Sequence, residues 1–317
     1  MSGPGAPAPR ILEFYCGIGG LAATGAGRVV RAFDINAKAL EVYRHNFARH
    51  RSVCRLIEGL SAERLQALDC DLWWASPPCQ PYTRRGLRRD LDDPRAETFK
   101  GLVRLMERVR PRFFALENVA GFKGSAAHAL LLRALERSGY RSVIERLLCP
   151  SQLGLPNRRP RFYLVAGLGA LQPLAEDSRR RPARPLRFFL DRDLAAAEWL
   201  LEPATARRYR GALHVISPEE ADTAEAVTSC FTSAYGRSPV RSGSYLLTEE
   251  GPRYFTPREI LRLLGFPPTF ALPPEINRRS AWRLVGNSLS ISPVRRMLSA
   301  VRSAPSDAEP LEEGQQV

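Results

Sequence analysis

The 317-residue chain carries 47 Lys and Arg against 33 Asp and Glu, a net charge of +14, and 44% of its residues are hydrophobic. This composition is sufficient to bury a core and excludes an intrinsically disordered protein. The excess of positive charge favours a polyanionic partner, nucleic acid above all, over a protein that is merely basic.

Cysteine spacing and hydropathy exclude further classes. The six cysteines form no Cys-x-x-Cys pair and there are only four His, so we expect no zinc or other metal site. Scattered cysteines are typical of reduced thiols in an intracellular protein, and we expect a cytoplasmic and secondarily a nuclear location. Residues 1–9 lack the apolar core of a signal peptide and no run is long enough to span a bilayer, so we expect no membrane contact.

Apolar runs predict strands at residues 10–15, 28–34, 53–57, 70–75, 113–116 and 161–166, and Asn36 is a candidate N-cap for the helix after the second strand. Because strands alternate with helices, we predict an α/β fold with a doubly wound, mostly parallel sheet. Ligands of such sheets bind beyond the carboxyl ends of the strands. Those ends carry glycines 17, 19 and 20 together with Asp34, Glu58, Cys79 and Glu117.

The composition changes along the chain and predicts five parts. Residues 1–9 are a disordered N-terminus, 10–167 the main α/β domain, and 168–250 a linker with a small separate unit. Residues 251–302 form C-terminal helices that return to the main domain, and 303–317 form a disordered acidic tail. The capping box that begins at Thr256 predicts a helix that Gly265 ends, and a further helix is predicted from about Ser290 to Val301.

Cys79 is the candidate nucleophile. It follows a predicted strand in Ser76-Pro77-Pro78-Cys79-Gln80, where prolines stiffen the loop that exposes the thiol. The neighbouring cations Arg84 and Arg85 are expected to lower its pKa. The alternative, a structural cysteine in a proline turn, is less favoured because buried cysteines usually stand in apolar sequence.

Three other patterns give weaker signals. Glu117 at the mouth of an apolar strand is a candidate acid with a raised pKa, although a solvated strand-end Glu is the commoner case. Gly17-x-Gly19-Gly20 with Asp34 resembles a nucleotide cradle, but its spacing argues against NAD. The basic turn at residues 157–161 is either a solvated charge cluster or a set of cations aimed at a base carbonyl or a phosphate.

Taken together and in order, these patterns resemble five motifs of the cytosine-C5 methyltransferase family. The motifs are the glycine turn after Phe14-Tyr15, Pro77-Pro78-Cys79-Gln80, Glu117-Asn118-Val119, Arg159-x-Arg161 and Gly286-Asn287-Ser288. The resemblance extends from Ile11 to about Leu298. Within the family, Pro81-Tyr82-Thr83-Arg84 and Cys230-Phe231-Thr232 are most similar to the Dnmt2 group, the tRNA-aspartate cytosine methyltransferases.

The resemblance implies that S-adenosylmethionine donates a methyl group to C5 of a cytosine in tRNA, in the anticodon loop of tRNA-Asp, through a Cys79–C6 adduct. It implies that Glu117 holds or protonates N3, and that Arg159 and Arg161 orient the nucleophile loop and contact the O2 side of the base. It assigns residues 10–167 to catalysis and S-adenosylmethionine binding and the small unit to target recognition. We expect a monomer that accepts DNA as a weaker substrate. The cofactor residues implied are Phe14, Ile18, Gly19, Gly20, Asp34, Ile35, Ile57, Glu58, Ser76, Asn287 and Ser288.

Two alternatives stay open. A DNA cytosine-C5 methyltransferase would use the same chemistry, although the chain offers no long recognition domain. A catalytically impaired nucleic-acid-binding homologue is favoured by residues 21–27, a short crossover where the family has a full helix that walls the cofactor site. A zinc base deaminase is excluded, because it needs a second Cys three positions after Cys79, where Tyr82 stands.

Overall fold

The computed structural model describes residues 8–79, 90–94, 96–174, 184–192 and 194–301. Several predictions of the sequence analysis lie outside these residues. They are most of the N-terminal and C-terminal tails, the greater part of the linker, and the loop after Cys79 with Arg84 and Arg85.

The main domain is built on one seven-stranded sheet within the described ranges. Its strands are β1 (Arg10–Phe14), β2 (Arg28–Asp34), β3 (Arg51–Cys54), β4 (Leu72–Ala75), β5 (Phe113–Val119), β6 (Ser142–Leu148) and β7 (Arg161–Gly167). Their order is β3-β2-β1-β4-β5-β7-β6. Strands β1 to β5 run parallel, and β7 runs antiparallel to both β5 and β6. The predicted doubly wound, mostly parallel sheet is confirmed.

Helices cover both faces of this sheet, and further helices follow its last strand in the sequence. They are α1 (Ala37–Asn46), α2 (Ala62–Gln66), α3 (Ala96–Val109), α4 (Ala126–Arg137), α5 (Pro203–Arg208), α6 (Pro218–Ala221), α7 (Pro257–Leu263), α8 (Arg278–Gly286) and α9 (Ile291–Leu298). Asn36, Ser61 and Ser125 begin α1, α2 and α4 by accepting a backbone N–H from the third residue that follows. No helix in the described part of the chain is long and apolar enough to cross a membrane.

Successive residues of the central strands point to opposite faces, and both faces are buried. Trp73 packs with α3 and α4 on one side of the sheet, in a core that includes Phe99 and Leu131. Trp74 packs on the other side, with Tyr43 of α1 and Met297 of α9. The apolar runs that predicted strands therefore reflect a sheet covered on both faces.

The small unit contains a second sheet and an aromatic core. Strands β8 (Val215–Ile216), β9 (Tyr245–Thr248) and β10 (Gly251–Tyr254) pair in the order β10-β9-β8. Phe231 and Tyr235 of this unit share one core with residues of α7 and α8. Because β9 and β10 form a hairpin, the boundary predicted between residues 250 and 251 falls at its turn, and β10 joins the small sheet.

Several boundaries differ from the predictions. Strand β3 ends at Cys54, three residues before the predicted end, and Ile57 instead begins a 3-10 turn. Strand β5 continues to Val119, because pairing with β7 extends as far as Arg161. Glu117 therefore lies inside a strand and not at its end. Strands β6 and β8 to β10 and helix α8 were not predicted, since their polar and apolar residues are mixed.

The predicted capping box of α7 is present. Thr256 accepts the backbone N–H of Glu259, and the Glu259 carboxylate accepts the N–H of Thr256. Gly265 follows the end of this helix, and Ser290 stands directly before α9, as predicted.

The crossover from β1 to β2 contains a single 3-10 turn, Ala22–Thr24, within the span where a helix is usual for the family. The Thr24 hydroxyl donates to the carbonyl of Leu21 at 2.7 Å. Gly25 follows with a φ of 65°, a left-handed conformation that suits glycine and turns the chain into β2. Arg295 of α9 donates from Nε to the carbonyl of Thr24 at 2.9 Å. The C-terminal helix thus braces the short crossover.

Candidate active site

The loop after β4 presents Cys79 at the carboxyl edge of the sheet. The indole N–H of Trp74 donates to the Ser76 hydroxyl at 2.9 Å. Asn118 of the neighbouring β5 is buried and donates from Nδ2 to the carbonyl of Pro77 at 3.3 Å. The adjacent strand therefore anchors the nucleophile loop, a role for Asn118 that its place in the motif did not reveal.

Glu117 and Arg161 meet because β5 and β7 are antiparallel neighbours. The Glu117 Oε1 atom lies 3.4 Å from Nε of Arg161, and the two side chains are 9% and 15% exposed. Burial raises the pKa of Glu117, and the charges of Arg161 and Arg159 only partly offset this effect. Glu117 thus has the environment of a carboxyl that keeps its proton to a higher pH than an exposed glutamate does.

The charges of Glu117, Arg159 and Arg161 also act on Cys79, and we call these four residues the cluster. Burial raises the pKa of its thiol, Glu117 acts in the same direction, and the charges of Arg161 and Arg159 oppose both. The expected lowering of this pKa by Arg84 and Arg85 concerns side chains outside the described residues. Within the described part of the chain, Arg161 and Arg159 are the charged groups that favour the thiolate, and a backbone hydrogen bond at Cys79 acts in the same direction.

Arg159 holds three distant segments together. It is 4% exposed, and its Nη1 donates to the carbonyl of Phe231 at 2.9 Å. Its Nη2 donates to the carbonyls of Gly286, at 3.2 Å, and of Ser288. These contacts join the basic turn to the Cys-Phe-Thr segment and to the C-terminal motif. Arg159 is therefore placed to position the site, and its contact with a base stays a prediction, as does that of Arg161.

Cys230 is a second thiol beside the same arginines. Its Sγ lies 3.4 Å from Nη1 of Arg159 and 3.8 Å from Nη2 of Arg161. Burial opposes ionisation of this thiol, but the charges and hydrogen bonds of the two arginines outweigh it and lower its pKa. From sequence, Cys230 was part of a motif but had no assigned chemical role. In the structure it lies beside the arginines of the cluster.

The glycine turn after β1 is fastened to the end of β2 by Asp34. One carboxylate oxygen accepts the N–H of Gly17 at 2.8 Å, and the other accepts the N–H of Asn36 at 2.8 Å. Gly19 has a φ of 93°, and a Cβ there would lie 2.5 Å from the ring of Phe47. A Cβ on Gly20 would lie 2.7 Å from Leu289. The cradle therefore accepts only glycine at these positions.

Three features of the structure fit S-adenosylmethionine as a ligand of the cradle. Ile35 and Leu56, which follow the ends of β2 and β3, leave large apolar side chains 64% and 57% exposed at the carboxyl edge of the sheet. The hydroxyl of Ser288 is buried and has no hydrogen-bond partner among the described residues. An apolar ledge, a glycine cradle and an unpaired hydroxyl suit a ligand with an aromatic base and polar groups.

The other predicted cofactor residues differ in exposure. Glu58 and Asn287 are exposed and Ser76 is partly exposed, whereas Ile18 and Ile57 are buried. Phe14 is fully buried and stacks on Phe33 with 5.4 Å between ring centroids, so only its backbone borders the cradle. The assignment of all these residues to the cofactor stays a prediction. The described residues contain no group of three or more His, Cys, Asp or Glu that could hold a metal ion.

Glu13 is a residue that the sequence analysis did not single out. Its carboxylate is wholly buried beneath the glycine turn, where Oε2 accepts the Tyr43 hydroxyl at 3.2 Å and Oε1 has no hydrogen-bond partner among the described residues. Burial raises its pKa to about 8, although Tyr43 and the backbone of Leu21 and Ala22 act in the opposite direction. The available signal was an acid between Leu12 and Phe14, in the middle of an apolar strand.

Comparison with known proteins identifies a matching family and several similar proteins. The model of the C-5 cytosine-specific DNA methylase family matches residues 9–184 and 202–303. The tRNA (cytosine(38)-C(5))-methyltransferase of Homo sapiens is 29% identical over an alignment that covers 91% of this chain and 98% of that protein. The DNA (cytosine-5)-methyltransferase of Dictyostelium discoideum is 28% identical, with 93% and 94% covered. The crystal structure of the S. pombe Dnmt2 methyltransferase superposes with a TM-score of 0.80 at 27% identity, covering 92% of this chain and 97% of that one.

Proposed function

The chain belongs to the C-5 cytosine-specific DNA methylase family, and on that premise we propose that it methylates C5 of a cytosine in tRNA, with S-adenosylmethionine as donor. The observation that carries the proposal is the cluster around Cys79 at the edge of the sheet that also holds the glycine cradle. The name of the human relative supports tRNA and position 38 of the anticodon loop as the target. For tRNA-Asp the support is the resemblance of residues 230–232 to the Dnmt2 group.

The cluster supplies what this reaction needs. C5 of cytosine is a poor nucleophile until a thiolate adds to C6. In the proposed step the Cys79 sulfur forms a bond to C6, the C5–C6 double bond opens, and its electron pair is delocalised towards N3. Glu117 gives its proton to N3 or holds a proton there, which stabilises the resulting enamine.

Bound S-adenosylmethionine supplies an electrophilic methyl group. The methyl group would pass to C5, and the donor sulfur would keep the electron pair of the broken S–C bond. Loss of the C5 proton to a base then restores the C5–C6 double bond, the C6–S bond breaks with its electron pair on the Cys79 thiolate, and N3 returns its proton to Glu117. Arg161 lies beside Glu117, and its charge opposes the rise that burial causes in the pKa of Cys79, so it favours the thiolate at the start and at the end of the cycle.

The target cytosine must leave its stack to reach Cys79. A nucleotide in an anticodon loop loses less stacking and pairing energy than one in a duplex. The net charge of +14 favours attraction of the RNA backbone. A DNA substrate is the second candidate, favoured by the Dictyostelium relative.

Transfer of labelled methyl groups to purified tRNA, followed by bisulfite sequencing, tests the proposal. We expect incorporation at one anticodon-loop cytosine, and a loss of at least about a thousandfold in Cys79→Ala. Cys54→Ala, which changes an exposed thiol, is the matched control and should be fully active.

Three outcomes would contradict the proposal in different ways. Labelling of duplex DNA with none of tRNA would assign the DNA alternative. Full activity of Cys79→Ala would remove the covalent mechanism. Calorimetry that shows no binding of S-adenosylmethionine would favour the impaired nucleic-acid-binding homologue.

A further inference from the structure

A pocket lies on the β2–β3 edge of the main sheet. We call it the arginine pocket and define it by Arg31 of β2, Arg44 of α1, His50, Arg51 and Ser52. Its volume is about 630 Å³, and its other lining residues are the small apolar Ala48 and Val53. Arg51 is the first residue of β3 and Arg44 lies in the last turn of α1. His50 stacks on Phe47, whose other side borders Gly19, so one wall of the pocket adjoins the glycine cradle.

The pocket concentrates positive charge without compensation. Arg31 and Arg51 are direct partners in the parallel register of β2 and β3, so their side chains leave the same face of the sheet side by side. Like charges in this arrangement destabilise a sheet. No carboxylate lines the pocket, and in the described ranges none of its three arginines forms an ion pair.

One donor of the pocket has no partner. Nε of Arg31 is buried and makes no hydrogen bond to any described residue. A buried donor that is left unpaired costs free energy, and an anion in the pocket would satisfy it. This observation is independent of the charge count and points to the same kind of ligand.

The remaining polar groups are already oriented. Arg44 donates from Nε to the Ser52 hydroxyl at 3.0 Å, which fixes its guanidinium beside β3 and leaves both Nη groups for a ligand. Nδ1 of His50 lies 3.1 Å from the Tyr43 hydroxyl, and the ring stacks on Phe47 at 5.3 Å with an interplanar angle of 7°. Because the Tyr43 hydroxyl donates to Glu13, its oxygen accepts from Nδ1 of His50, and the ring is held as one wall of the pocket.

We propose that the arginine pocket binds a phosphate group. Guanidinium forks match pairs of phosphate oxygens, and three of them surround one pocket here. The Ser52 hydroxyl accepts from Arg44 and so has its own O–H left to donate to a phosphate oxygen. The phosphate comes either from a nucleic-acid backbone or from a free anion. The backbone source rests on the proposed function, whereas the free anion does not.

Inorganic phosphate alone tests the site directly. Binding is measured by calorimetry and by thermal shift at constant ionic strength, with chloride as the reference anion. We expect Arg51→Gln and Arg44→Gln to bind phosphate about tenfold more weakly than the unmodified protein, because each loses a charge-assisted hydrogen bond. Both arginines are exposed, so both variants should fold. Arg133→Gln, an exposed arginine of α4, is the control with the same change of charge.

Binding of tRNA at increasing salt distinguishes the two sources. If the pocket holds a backbone phosphate, the slope of log K against log salt should fall by roughly 0.7–0.9 in Arg51→Gln relative to Arg133→Gln. An unchanged slope together with weakened phosphate binding assigns the free anion. If Arg51→Gln and Arg133→Gln have the same affinity for phosphate and the same salt dependence of tRNA binding, the proposal is overturned. The phosphate measurement needs no methyl transfer, so its failure is separate from failure of the proposed function.

Discussion

Single residues at the carboxyl edge of the sheet share one electrostatic environment. Burial raises the pKa of both Cys79 and Glu117, and Arg161 counteracts both shifts. Both shifts act in favour of the neutral forms, the thiol and the protonated carboxyl. A bound base that displaces water would strengthen the influence of Arg161 on the thiol, because charges interact more strongly at low dielectric constant.

Glu13 gives a residue-scale prediction about pH. Its pKa is about 8 in the folded protein against an ordinary 4.5, so its contribution to stability is present below pH 4.5 and is lost as pH rises towards 8. We expect Glu13→Gln, which keeps an acceptor for the Tyr43 hydroxyl, to abolish this loss. The free energy of unfolding of the variant, measured in urea, should rise by about 3 kcal/mol relative to the unmodified protein between pH 5 and pH 8.

Glu41→Gln on the exposed face of α1 is the control for this measurement, and its pH profile should follow that of the unmodified protein. Parallel profiles for Glu13→Gln and the unmodified protein would show that Glu13 ionises without cost, contrary to the prediction.

At the scale of elements, the joint between β10 and α7 is a buried ion pair. Nη1 and Nη2 of Arg253 donate to the two carboxylate oxygens of Glu259 at 3.0 and 2.9 Å. The same carboxylate accepts the backbone N–H groups of Thr256, at 2.8 Å, and of Asp191, at 3.0 Å. One side chain thus caps α7 and connects it to the small sheet and to the segment that follows the linker.

We predict that Glu259→Ala lowers the free energy of unfolding by about 3–5 kcal/mol, because it leaves the buried charge of Arg253 unpaired. Glu220→Ala is a matched control, since Glu220 holds the corresponding place in the capping box of α6 but is exposed. Its cost should be about 1 kcal/mol or less. Equal losses in urea denaturation of the two variants would mean that the ion pair adds nothing to the cap.

At the scale of the whole molecule, Arg159 connects the main sheet to the C-terminal half of the chain. Its carbonyl acceptors belong to Phe231, Gly286 and Ser288, which are far from it in the sequence. A lysine has one compact ammonium group and cannot reproduce a guanidinium fork that reaches all three.

We predict that Arg159→Lys loosens this junction while the main sheet stays intact. Hydrogen exchange followed by mass spectrometry should show faster exchange in peptides around residues 228–235 and 283–290, with β4 and β5 unchanged. The loss of one charge-assisted bond corresponds to about 1.5–3 kcal/mol. Arg237→Lys, an exposed position with a single bond to the carbonyl of Ser233, should leave exchange unchanged. Uniformly faster exchange in Arg159→Lys would argue for global destabilisation instead.

The strands that could be predicted are those whose own residues carry the pattern of a buried strand. Strand β4 was recognisable because both faces are buried, which produces a continuous apolar run, and β1 and β2 because apolar residues predominate in them. Edge strand β6 was missed because Glu145 and Arg146 divide its apolar residues into two short pairs. The extension of β5 through Glu117 was missed because pairing with β7 creates it, and pairing leaves no mark in the strand's own residues.

The sequence by itself determined the fold class, the order of the motifs, the helix caps and the chemical type of the site, because these depend on residue type and on short spacings. Tertiary structure alone decided that Asn118 anchors the nucleophile loop, that Glu13 is buried under the cradle and that Arg159 holds three segments. It also decided that Arg31 and Arg51 stand side by side. Each of these roles depends on a partner distant in the chain, and burial and strand register, which set the charge environment, exist only once the chain has folded.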